Sequence, residues 1–155
     1  MENGFCPVHQ PHYYEDFLRQ LKLTNEYRKN IYKIICLKDA RRVLEIGCRM
    51  GIITQELREN TSAQITAIDS DHLMIAEAQE NIEGIEFFRD SSESLSMRDE
   101  SYDIVICHYF FMWNPKPFAQ LMEMIRVCKK GGYVVALAEP DYGSWMEYPD
   151  LGLRG

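Results

Sequence analysis

The amino-acid sequence predicts an α/β fold built on a doubly wound parallel sheet. From Arg42 onward, short β-rich runs alternate with helical segments, the order that yields parallel strands joined by crossover helices. The most apolar run, Tyr102-Asp103-Ile104-Val105-Ile106-Cys107, reads as a central strand covered on both faces.

Taken in order, the first dozen residues hold Pro7, His9, Pro11 and His12 and read as irregular. Tyr13 to Cys36 has helical spacing. Phe17, Leu18 and Leu21 share one stripe, and Tyr27, Ile31, Ile34 and Ile35 share another. Thr24-Asn25 between them predicts a break and recap, hence two short helices. Val43 to Gly47 is the first strand and Ile52 to Glu59 the helix after it. Gln64 to Asp69 is the second strand, followed by a helix over Asp71 to Asn81. Ile85 to Phe88 is the third strand, and the run from Tyr102 is the fourth. Asn114-Pro115 predicts the next helix start, with Asn as N-cap and Pro at the first helical position. Gly131-Gly132 after Lys129-Lys130 predicts its left-handed stop. Tyr133 to Ala138 is the fifth strand.

Composition narrows the function. The 155 residues are 46% hydrophobic and 26% charged, enough apolar material for a buried core. Seventeen basic against 24 acidic residues leave a net charge of −7, which argues against a nucleic-acid partner. No apolar run approaches the ~20 residues of a membrane span, and Met1-Glu2-Asn3-Gly4 does not open a secretory signal. Five cysteines at irregular spacing read as reduced thiols of a cytoplasmic protein. Cys6, His9 and His12 have a zinc-like spacing, but the prolines among them prevent a helix from presenting both histidines together. No metal is expected.

In such sheets ligands sit beyond the carboxyl ends of the strands, where strand order reverses. The strand ends here are Glu45 through Gly51, Asp69, Asp90 and His108-Tyr109, and three of the four carry a carboxylate. A nicotinamide dinucleotide fits poorly. The turn Gly47-Cys48-Arg49-Met50-Gly51 lacks the G-x-G-x-x-G spacing, and Glu45 would face a pyrophosphate. S-adenosylmethionine fits better, because it has an ammonium, a ribose diol and an adenine amine for Glu45, Asp69 and Asp90 to accept from. Glycines at 47 and 51 would let the backbone come close.

Five segments in order now carry a resemblance. They are Val43-Leu44-Glu45-Ile46-Gly47-Cys48 with Gly51, Ile68-Asp69, Arg89 to Leu95, Tyr102-Asp103-Ile104-Val105, and Lys129-Lys130-Gly131-Gly132. Over about Arg42 to Gly143 the chain resembles the class I methyltransferases that use S-adenosylmethionine. The resemblance implies a Rossmann-like sheet of order 3-2-1-4-5, methyl transfer to a small-molecule substrate and S-adenosylhomocysteine as product. It places the cofactor on Glu45, Gly47, Cys48, Arg49, Gly51, Asp69, Ser70, Asp90, Ser91 and His108. His108 is also the best-placed candidate for a general base. Arg49 stands where the family has its middle glycine. It is expected either to reach the methionine carboxylate or to point outward and weaken binding, at a cost of about 1–2 kcal/mol if the backbone there is left-handed.

The expected organisation is a helical segment over 1–41, a cofactor-binding α/β domain over 42–143 and a tail over 144–155. The family's C-terminal hairpin is missing, so the chain reads as truncated after the fifth strand. An open fifth strand predicts a homodimer through that edge, unless Trp145, Met146 and Tyr148 of the tail cover it. The alternative reading is a catalytically impaired cofactor-binding module or a fragment of a longer methyltransferase.

Overall fold

A computed structural model describes residues 11–139, and the expectations for the Cys6–His9 segment and for the tail lie outside them. Helix α1 (Pro11–Ile34) precedes strand β1 (Arg42–Ile46), helix α2 (Ile52–Asn60) and strand β2 (Gln64–Asp69). Helix α3 (His72–Asn81), strand β3 (Glu86–Arg89), strand β4 (Tyr102–His108), helix α4 (Pro117–Val127) and strand β5 (Cys128–Leu137) follow. The five strands form one sheet in the order β3-β2-β1-β4-β5, and every pairing is parallel. The doubly wound fold and its strand order are those read from the sequence.

Strand β4 is the centre of the core, because Ile104, Val105, Ile106 and Cys107 are all buried and alternate between its two faces. Ile104 and Ile106 face Val43, Ile65 and the inner side of α1 through Leu21, Tyr32 and Ile35. Val105 and Cys107 face Leu44, Ile46 and the α4 residues Met124 and Val127. Helix α1 therefore shares one hydrophobic cluster with the sheet.

Three local expectations change. Thr24-Asn25 does not break α1, which runs continuously for 24 residues. Thr24 bonds back to the carbonyl of Gln20 at 2.8 Å and accepts at 2.6 Å from the guanidinium of Arg28. The local preference for a recap loses to a tertiary anchor. Helix α4 opens at Pro117, two residues beyond the expected Pro115, with Lys116 at the cap. Asn114 closes the preceding turn instead, donating to the carbonyl of Phe110 at 2.7 Å. The same helix ends at Val127, and Gly131-Gly132 lies inside β5. Tyr102 pairs with Cys128 but Ile104 pairs with Tyr133, so the extra residues form a bulge there. Lys129 bonds the Asp103 carboxylate at 2.7 Å and fixes that register.

Candidate active site

Beyond the carboxyl ends of β1, β2 and β4 lies a cavity lined by Gly47, Arg49, Asp69, Ser70, Asp90 and His108, among others. The turn after β1 makes its floor. Gly47 has φ +74°, and a Cβ there would stand 2.6 Å from the ring of Phe110, so glycine is needed for both backbone and contact. The Gly47 and Cys48 amides both donate to the carbonyl of Ile68, at 2.8 and 3.0 Å, which locks the turn onto β2.

Asp69 ends β2 and binds two backbone amides, that of Arg49 through Oδ2 and that of Asp71 through Oδ1, each at 2.9 Å. A carboxylate oxygen has about two acceptor positions, so each Asp69 oxygen keeps one for a ligand. Asp90 spends Oδ2 on the amide and hydroxyl of Ser96, both at 2.9 Å, and Oδ1 on the Ser91 amide at 2.8 Å. One position remains on Oδ1.

Not every residue expected at the ligand reaches the cavity wall. Glu45 is 2% exposed and accepts from the Thr54 hydroxyl behind the wall. The Cys48 side chain turns into the cluster of Ala67, Ile75 and Ala78, where burial pushes its thiol pKa far up. Gly51 has φ +87° and packs on Ala78 of α3 and on Ile82 just after it, so it serves helix packing. Ser91 is exposed, and its neighbour Ser92 lines the cavity, held by Gln120 at 3.1 Å.

Other contributors lie outside that expected set. Phe110 and Asn114 line the cavity, and Glu139 fixes their loop by accepting from the Phe110 and Phe111 amides at 2.6 and 3.1 Å. Arg126 of α4 clamps the loop after Asp90 through the carbonyls of Leu95 and Met97, both at 2.9 Å. Phe17 of α1 lies under the Arg49 guanidinium, 5.0 Å from its ring centre. It also meets the His108 ring edge-on at 6.3 Å. Its only signal in the sequence was membership of an apolar helical stripe.

Two buried groups have displaced titrations. Burial pushes the Glu45 pKa up to about 7, opposed by the Thr54 hydrogen bond and reinforced by the charges of Asp69 and Glu56. Burial pushes His108 down to about 4, aided by Arg28 and Arg49 and opposed by Glu56. As pH rises from 4.5 to 7 the unfolded chain loses a proton that folded Glu45 keeps, so this group lowers stability across that window. Neutral His108 contributes stability that is complete above 6.5 and is lost as pH falls toward 4. The two effects oppose each other between pH 4.5 and 6.5. Urea midpoints should therefore rise on acidification from pH 7 to about 5 in His108→Asn and fall in Glu45→Gln. Equal pH slopes in both variants would rule this account out.

A family profile described as a methyltransferase domain matches residues 44–136. The chain belongs to this methyltransferase family. A phosphatidylethanolamine N-methyltransferase of Cereibacter sphaeroides is 34% identical over 100 residues, covering 61% of this chain and 48% of the relative. A malonyl-[acyl-carrier protein] O-methyltransferase of Bacillus cereus is 37% identical over 75 residues, covering 46% of this chain and 28% of the relative. The chain thus spans about half the length, or less, of the curated relatives it matches. A crystal structure of an S-adenosylmethionine-dependent methyltransferase from Aquifex aeolicus shares the fold. Its TM-score is 0.62 at 22% identity, covering 69% of this chain and 61% of that one.

The methyl donor of this methyltransferase family is S-adenosylmethionine, and the cavity's donor set suits it. The unspent acceptor positions of Asp69 and Asp90 match a ribose diol and an adenine amine. A pyrophosphate would meet the same two carboxylates and be repelled. No helix among the described residues is long and apolar enough to cross a membrane.

Proposed function

We propose that this chain transfers a methyl group from S-adenosylmethionine to a small molecule. The observation that carries this reading is the pair of strand-end carboxylates, Asp69 and Asp90, facing one cavity with acceptor positions to spare. Bound there, S-adenosylmethionine supplies an electrophilic methyl on a sulfonium. Asp69 holds the ribose hydroxyls, and Asp90 with the Ser92 side of its loop holds the adenine edge. Gly47 lets the turn lie against the ligand, while Ser70 stands at the rim. Glu45, sealed behind the wall, makes no direct contact with the ligand. Tyr109 and Phe110, with Phe17 packed edge-on against His108, keep water from the reacting end near His108, where positioning and desolvation provide the rate.

Calorimetry with S-adenosylmethionine and S-adenosylhomocysteine tests the reading. Asp69→Asn should weaken both by about 2 kcal/mol, roughly thirtyfold, through loss of charge-assisted hydrogen bonds. A folded parent that binds neither ligand at millimolar concentration would overturn it. A second reading, cofactor binding without transfer, draws on Arg49, whose φ of +51° is a left-handed conformation that glycine adopts more readily. Movement of labelled methyl into a crude substrate panel separates the two.

The proposal extends to a homodimer. Strand β5 is an edge of the sheet, and Tyr133 on it, with Phe118, Met122 and Ile125 of α4, presents apolar surface to solvent. Sedimentation at micromolar concentration should show the dimer, and a clean monomer would remove it. Cys36, Cys48, Cys107 and Cys128 are free thiols, which supports a reducing cytoplasmic setting that cell fractionation checks.

A further inference from the structure

We infer that the methyl acceptor is a carboxylic acid, whose carboxylate binds in the cavity beside Arg49 and His108, the two lining residues that pack on Phe17. This rests on the reading of the cavity as a methyltransferase site. With ribose and adenine assigned to the ends of β2 and β3, the end of β4 is left for the acceptor, and His108 stands there. His108 is 8% exposed, and neither ring nitrogen has a hydrogen-bond partner. Buried polar atoms left unpaired lose free energy, so two on one cavity-lining ring mark a place built for a polar ligand.

Arg49 sets the sign of that ligand. Its guanidinium lies on the Phe17 ring and lines the same cavity, and no ion pair is formed with it among the described residues. Phe17 touches both Arg49 and His108, so the cation and the imidazole share one apolar wall. A cationic amine would be repelled there. A hydroxyl acceptor would need a base, and His108 serves poorly as one. No carboxylate is hydrogen-bonded to it to hold an imidazolium, and burial with two nearby arginines outweighs the Glu56 charge and keeps it neutral. A carboxylate arrives already deprotonated and accepts from the guanidinium and from the imidazole N–H. One of its oxygens forms the new bond to the methyl carbon as the carbon–sulfur bond of the sulfonium breaks, which leaves a methyl ester and neutral S-adenosylhomocysteine with no proton moved.

The test loads the protein with S-adenosylhomocysteine, confirmed by calorimetry, and then titrates acetate while following the His108 ring and Arg49 Nε–H resonances by NMR. Loading itself reports on the methyltransferase reading, so failure of that reading is seen first and separately. Acetate should produce saturable shifts at both groups in the loaded protein, and acetamide and methylammonium should produce none. Arg49→Gly suits its left-handed backbone, and when saturated with S-adenosylhomocysteine it should bind acetate at least tenfold more weakly than the saturated parent. Arg49→Lys should recover part of the loss. The inference is overturned if acetate does not saturate, or if Arg49→Gly binds it as the parent does. It is equally overturned if loading abolishes acetate binding while Arg49→Gly weakens S-adenosylhomocysteine, because Arg49 would then serve the cofactor's own carboxylate.

Discussion

Glu56→Ala is expected to lower the unfolding free energy by about 3–5 kcal/mol, the largest effect of any single change considered for this protein. Arg28 on α1 is 2% exposed, and its guanidinium grips both Glu56 oxygens, Nε at 2.9 Å and Nη2 at 2.6 Å. The remaining Nη1 donates to Thr24 at 2.6 Å. Removing Glu56 would leave a buried cation with only a neutral partner, whereas removing both charges together avoids that penalty. Urea unfolding of Glu56→Ala and of Arg28→Met/Glu56→Leu checks this, with the double variant recovering most of the loss. A single-variant loss below about 1 kcal/mol would mean the pair behaves as a surface ion pair. The consequence reaches the cavity, since α1 also carries Phe17.

Gly132→Ala should cost about 3 kcal/mol, and Gly131→Ala next to it only about 1 kcal/mol. A Cβ on Gly132 would stand 2.5 Å from the backbone carbonyl of Asp103 and 3.0 Å from that of Lys129. Backbone cannot rotate aside as a side-chain tip can, so β4 and β5 would have to separate. At Gly131 nothing lies within 4 Å, and the cost is only that of its left-handed φ of +78°. Equal losses in urea unfolding of the two variants would contradict the bulge that places them.

These two glycines show where local signals stop. Next to a pair of lysines they carry the signature of a helix stop, and sequence offers no sign that Asp103 waits 26 residues away in the chain to hold Lys129. The same holds for Thr24-Asn25, a recap by propensity that Arg28 and Glu56 overrule.

What the sequence determined by itself was the alternation of strands and helices, the fold class, and the carboxylates that end β2 and β3. Apolar periodicity and strand-end chemistry are properties of neighbouring residues, so they survive without coordinates. Tertiary structure decided which side chains turn toward the cavity. Glu45 and Cys48 are next to the turn in sequence yet face inward, and Gly51 is spent on α3, because strand pleat and helix packing set their directions. Ser92 in place of Ser91 is a one-residue difference fixed by Gln120 on α4. Phe17 reaches Arg49 and His108 only because α1 is laid across the sheet by its own buried face and by the Arg28–Glu56 pair. A contact between residues so far apart along the chain depends on how whole elements pack, and no local pattern encodes it.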